Sequence, residues 1–262
     1  MTTIEQNYRT IRQRITDACL QAARDPKDVR IVAVSKTVGT QEIEQAIALG
    51  VTDFGENRAT LFKERRAAFP HQQWHFIGTI QTNKVKDFAG CAALVHSVAS
   101  ERALRAIDAR MAMKNASSLQ QEPETGEQES ETDERKPETD EQEPETGERL
   151  SDKQAVLIEV NVSGEESKDG IVPAQLESLL KTASTLEHIR VDGLMTMAPV
   201  DDPVRIRASF SGLRELRDAL APRFEDTENV RLVELSMGMS EDYEIAIEEG
   251  ATIIRIGRAL WG

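Results

Sequence analysis

A lysine closes an apolar run in IVAVSKTVGT, residues 31–40. Lys36 there must reach water, meet an anion or react. One reading is a rim lysine that buries its stem and keeps its ammonium wet. The other is an amine whose pKa falls through burial and nearby cations, free to form a Schiff base with a carbonyl. Two later stretches bear on the choice. Ser236-Met237-Gly238-Met239-Ser240 offers two hydroxyls around a glycine, and Arg255-Ile256-Gly257-Arg258 offers two cations around another. Such glycines let backbone N–H groups approach an anion closely. A phosphorylated aldehyde would engage both features. Arg255, if it faces inward, would also help depress the lysine.

Other polar residues stand where apolar runs end, and each has an ordinary explanation. Asn57 fits a turn and Arg58 a solvated helix start. His75 fits a core or rim histidine with a local hydrogen bond. Asn161, Ser163 and Lys168 follow a later strand. Ser240 precedes Glu241 and Asp242, acids that complement a helix dipole, so it also reads as an N-cap. Met195, Met197, Met237 and Met239 read as adaptable packing.

The elements that must position these residues alternate. Thr2-Thr3-Ile4-Glu5 has capping-box spacing, and Ile4, Tyr8, Ile11, Ile15 and Cys19 recur on one helical face. Strands are expected at 29–36, 53–57, 74–78, 93–98, 154–162, 189–197, 231–237 and 252–257. Helices are expected at 40–49, 58–68, 83–89, 100–115, 173–187, 203–221 and 241–249. Eight near-continuous apolar strands alternating with helices predict an α/β fold, a single (β/α)8 TIM barrel with a parallel sheet inside. A doubly wound open sheet is the runner-up, weakened because no GxGxxG follows the first strand. In a barrel the polar strand ends share one mouth, and the loops after strands 7 and 8 often hold phosphate.

Residues 123–150 read PETGEQE, SETDERK, PETDEQE and PETGERL, an acidic heptad with no apolar seam. Proline opens three of the four units, which excludes a coiled coil. Residues 118–150 hold thirteen acidic and three basic residues, so they account for −10 of the net charge of −14. This composition predicts a disordered acidic insert, spanning 116–153, between helix 4 and strand 5 of a single domain over 1–262. Such a connection lies on the face opposite the chemistry. Neither part of the chain has the basic surface that nucleic acid requires. No run reaches the length of a membrane span and no signal peptide opens the chain, so a cytoplasmic protein is expected. Cys19 and Cys91 lack CxxC spacing, and the four histidines are scattered, so no metal site is expected.

Seven motifs then occur in order: AVSKT at 33–37, FGENR at 54–58, WHFIGTIQTNK at 74–84, VNVSGEESKDG at 160–170, GLMTM at 193–197, LSMGMSEDYEIAIEEG at 235–250 and RIGRALWG at 255–262. Together they closely resemble the pyridoxal phosphate homeostasis protein family, over nearly the whole chain outside 116–153. The resemblance implies a barrel of the alanine racemase N-terminal-domain type that binds pyridoxal 5'-phosphate (PLP) and serves vitamin B6 homeostasis. Carried over motif by motif, Lys36 is the Schiff-base residue, a covalent aldimine in the bound state, and Arg255 faces the pyridine nitrogen. Ser236, Ser240, Gly257 and Arg258 fall in phosphate-binding segments. Asn57 and His75 fall in motifs lining the cofactor face. The acidic insert departs from the family pattern, as does the lack of a short basic and aromatic tail after Trp261-Gly262.

The resemblance implies a carrier with PLP-dependent apo-enzymes as recipients. The alternatives are a slow amino-acid racemase and a cofactor-free Schiff-base aldolase. An arginine at the pyridine nitrogen only donates, which weakens the electron sink without abolishing it, since alanine racemase is also understood to use one. Racemase chemistry would further need a tyrosine base from a second domain, and this chain holds only Tyr8 and Tyr243. With no such domain to swap, a monomer is expected.

Overall fold

Thr2 caps the first helix as its spacing predicts, its Oγ1 accepting from Glu5 N at 3.2 Å. The computed structural model describes residues 2–119, 153–200 and 202–262. Helix α1 (Thr3–Gln21) buries Ile4, Ile11, Ile15, Ala18 and Cys19 along one face. Eight strands follow: β1 (Arg30–Val34), β2 (Asp53–Glu56), β3 (Gln73–Phe76), β4 (Leu94–Val98), β5 (Gln154–Glu159), β6 (Ile189–Met195), β7 (Val230–Ser236) and β8 (Ile253–Ile256). Each pairs in parallel with its sequence neighbours, and β8 returns to β1, closing the barrel. The helices between them are α2 (Thr40–Ala48), α3 (Ala59–Ala68), α4 (Glu101–Leu119), α5 (Leu176–Ser184), α6 (Pro203–Leu220) and α7 (Tyr243–Glu248), and α8 (Arg258–Trp261) follows β8.

One expected helix is different. Residues 83–89 form only a 3₁₀ turn, Thr82–Asp87. The segment is bounded by Gly90 at φ +75°, and a short run of this kind commonly takes the tighter 3₁₀ form. Helix α4 also runs to Leu119, four residues beyond its expected end and into the range assigned to the insert. The chain re-enters at Lys153, whose ammonium bonds Asn229 Oδ1 at 2.6 Å and Glu228 at 2.8 Å, just before β7. Both ends of the insert therefore lie on the N-terminal face of the barrel. The disorder expected for 118–150 falls almost entirely outside the described residues.

Side chains alternate along each strand and sort into two layers. Val32, Leu94, Ala155, Leu157, Met195 and Ile253 pack together inside the barrel. Ala33, Phe54, Trp74, Val156, Ile254 and their neighbours face outward and join the helices in the larger core. A bulge interrupts β7: Val191 pairs with Val230, yet Gly193 pairs with Glu234. The surplus residues on β7 include Leu232 at φ +47°. They bring Glu234 O so close that a Cβ at Gly193 would sit 1.9 Å from it. Among the described residues, no helix is long and apolar enough to cross a membrane.

Candidate functional site at the C-terminal mouth

The turn that carries Lys36 is built from the next βα unit. Ser35 is fully buried; its Oγ lies 2.7 Å from Glu56 Oε1 and 3.3 Å from Gly55 O. Glu56 is fully buried too, and burial pushes its carboxyl up, with the Ser35 bond opposing. Arg58 donates to Lys36 O at 3.5 Å, and Arg65 donates to Val38 O. Lys36 itself is exposed, as the rim-lysine reading has it, so burial does not act on its amine. Its backbone is pinned while its side chain is reachable from solvent.

The loops after β7 and β8 meet this turn. Gly238 needs φ +93°, and its backbone O accepts from Arg255 N at 2.9 Å. Ser240 does not cap its own helix. Its Oγ accepts from Ala259 N at 3.1 Å, so it serves α8, while the Asp242 carboxylate takes Met239 N at 2.5 Å. Gly257 precedes α8, and a Cβ there would meet only Val34, at an ordinary 3.6 Å. Internal packing thus leaves room for a side chain at that position. Arg258 is exposed and paired with Glu241 at 2.9 Å. Trp261 Nε1 donates to Val34 O at 2.7 Å, which ties the end of the β8 loop to the strand carrying Lys36.

Arg255 faces inward, as the sequence reading required. It is only 5% exposed, and its guanidinium donates to Ser236 Oγ at 2.6 Å and Thr196 O at 3.0 Å. Burial lowers its pKa to about 10, with Glu159 and Asp242 opposing, so it remains a cation at neutral pH. Glu159, at the end of β5, is buried, and burial together with Asp169 raises its pKa to about 7. Burial also raises Asp242, with the Met239 N–H and Arg255 opposing. The sequence reading passed over Glu159, because a glutamate inside QAVLIEVNV reads as a strand's polar face. Its one signal was position, at the C-terminal end of an inward-facing row.

Two placements differ from expectation. The Ser236 hydroxyl is fully buried and engaged with Arg255 and with His96 Nδ1 at 2.8 Å, so it holds the arginine and is not presented to a phosphate. His75 does not line the mouth. It is 1% exposed inside the barrel, with Nδ1 at 2.9 Å from His96 Nε2 and Nε2 at 3.1 Å from Asp53 Oδ1. Its neighbours open onto the N-terminal face. His75 sits two residues from the start of β3, so inward alternation places it low in the barrel. Asn57 lies exposed in the turn after β2, on the mouth side, and Arg58 precedes α3 as a helix start. Asn161 is structural: its amide bonds Glu165 O and Lys168 O and its Oδ1 takes Gly164 N, closing its own loop. Among the described residues, no cluster of three or more His, Cys, Asp or Glu side chains could hold a metal.

The alanine racemase N-terminal domain profile matches residues 136–262. A pyridoxal phosphate homeostasis protein from Aquifex aeolicus is 38% identical over 95% of this chain and 93% of its own length. A crystal structure of a protein from Bifidobacterium adolescentis superposes with TM-score 0.79 at 31% identity, covering 98% of this chain and 94% of that one. PipY of Synechococcus elongatus, with PLP bound, superposes with TM-score 0.68 at 26% identity, covering 96% and 100%. With full-length similarity above 30% and the same closed barrel, this chain belongs to the pyridoxal phosphate homeostasis protein family.

Proposed function

We propose that this chain binds PLP at the C-terminal mouth and serves its homeostasis by holding and releasing it, in the cytoplasm, for recipient apo-enzymes. The observation that carries the reading is a buried, inward-facing Arg255 on β8 beside β1, the strand whose end leads into the reachable Lys36, with Val32 of β1 paired to Arg255. When bound, PLP supplies an aldehyde electrophile and an electron-withdrawing pyridine ring.

The residues present fit that group. Lys36 supplies the amine, held at the mouth by the Ser35–Glu56 contact beneath it. Ser240 orients the first turn of α8, and Gly257 leaves space over its backbone for a phosphate, with Arg258 exposed beside it. Arg255 would hold the pyridine nitrogen as a donor and would leave it unprotonated, because a guanidinium has no acceptor. The nearby buried acids Glu159 and Asp242 keep the arginine's charge locally balanced.

Holding is favoured over racemisation by the tyrosines. Tyr8 packs against the outer core from α1, and Tyr243 is 2% exposed at the start of α7, where burial raises its phenol's pKa. Both belong to helix packing, and burial keeps the Tyr243 proton on its phenol, which does not suit it to act as a second base. Adding PLP to the purified protein should produce a visible absorption band that Lys36→Ala abolishes. Borohydride reduction and peptide mapping should then label Lys36. A spectrum unchanged by PLP would defeat the proposal and favour the cofactor-free aldolase. Steady turnover of amino acids, lost in Lys36→Ala, would favour the racemase.

A further inference from the structure

A file of polar groups crosses the barrel interior from one face to the other. Arg255 Nη1 lies 2.6 Å from Ser236 Oγ, which lies 2.8 Å from His96 Nδ1. His96 Nε2 lies 2.9 Å from His75 Nδ1, and His75 Nε2 lies 3.1 Å from Asp53 Oδ1. Ser236 and His96 are fully buried and His75 nearly so. The far end opens into a cavity of 430 Å³ on the N-terminal face, bordered by Asp53, His75, Arg30, Arg190 and Glu234.

Hydrogen counting fixes the direction of this file. A guanidinium can only donate, so Ser236 Oγ accepts from Arg255. The serine's own hydrogen then needs an acceptor, and His96 Nδ1 is its only candidate among the described contacts. A neutral His96 must therefore carry its proton on Nε2, and burial and the neighbouring His75 and Arg255 disfavour its charged form. His96 Nε2–H donates to His75 Nδ1, and His75 Nε2–H donates to Asp53. Burial acts to raise the Asp53 carboxyl, but bonds from His75 and Thr52 and the nearby Arg30 outweigh it and hold it below the usual range. The chain runs from a cation at the mouth to an anion at the opposite face, with every proton assigned and each bond polarising the next.

We infer that Asp53, His75 and His96 are positioning residues for Arg255, acting from the opposite face of the barrel through one unidirectional hydrogen-bond relay. With Thr196 O holding the second Nη, the relay fixes the plane of the guanidinium. This inference rests on the reading above only where it concerns the cofactor.

The test has two parts. In the full chain labelled with ¹⁵N-histidine and free of cofactor, long-range proton–nitrogen spectra report the tautomer of each buried ring. His75 and His96 should both be neutral with the proton on Nε2. Asp53→Asn, whose amide can donate or accept, should mix the tautomers. On titration with PLP, Asp53→Asn should weaken binding about fivefold, roughly the net contribution of one ordinary hydrogen bond, and shift the bound cofactor's visible band. A proton on Nδ1 of either ring in the unsubstituted protein would overturn the relay. Wild-type affinity and an unmoved band in a folded Asp53→Asn variant would overturn the positioning role. A protein with the expected tautomers that never changes colour with PLP would defeat the proposed function while leaving the relay standing.

Discussion

Lys36 and Arg255 reach one mouth by opposite routes. The lysine stands exposed on a turn pinned from below, whereas the arginine is buried and held by Ser236 and Thr196. Glu159 shares the arginine's surroundings, and its carboxyl is pushed to about 7. A glutamate carboxyl in the unfolded chain titrates near 4.5, so between those pH values the folded state binds the extra proton. The associated stability is fully present below pH 4.5 and is lost as pH rises through 7. Glu159→Gln should therefore leave stability near wild type at pH 5 and raise it at pH 8, by about 3 kcal/mol at most. Urea unfolding of the cofactor-free protein at the two pH values measures this. An equal effect at both would show that burial does not penalise the ionised carboxylate.

Neighbouring βα units hold one another's site residues at the element scale. Arg58 and Arg65 secure the β1–α2 turn, Ser240 caps α8, and Trp261 returns to β1. The bulge in β7 belongs to the same scheme, since Glu234 lies beside the cavity at the N-terminal face while Ser236 supports Arg255. Gly193 is what allows the two strands to approach there. Gly193→Ala would drive a Cβ into Glu234 O and should cost about 3 kcal/mol, read as a lower urea midpoint with an unchanged slope. A neutral substitution would mean that the bulge relaxes freely.

The whole molecule separates its two faces. The loops that carry Lys36, Ser240 and Arg258 lie at the C-terminal mouth, while the ends of the acidic insert, Leu119 and Lys153, lie at the N-terminal face. Replacing residues 120–150 with a short Gly/Ser linker should keep the melting temperature within about 2 °C and leave the PLP titration curve unchanged. Loss of PLP binding in a folded deletion variant would place the insert at the site.

The barrel was legible in the sequence because eight apolar runs at even spacing bury both faces of their strands, and only a parallel sheet wrapped in helices satisfies that pattern. Lys36 and Arg255 stood out for the same reason, as charges at or near the ends of such runs. The four histidines, by contrast, looked scattered. His75 and His96 are 21 residues apart, and Ser236 lies 140 residues beyond His96. Barrel closure and strand register bring them together, and no local pattern encodes register between distant strands. The inward turn of the Ser236 hydroxyl, the cap that Ser240 lends to α8 and the raised pKa of Glu159 likewise depend on partners supplied by other strands. Residue types and periodicity determined the fold and its mouth. Three-dimensional packing decided which polar groups face a ligand and which support one another.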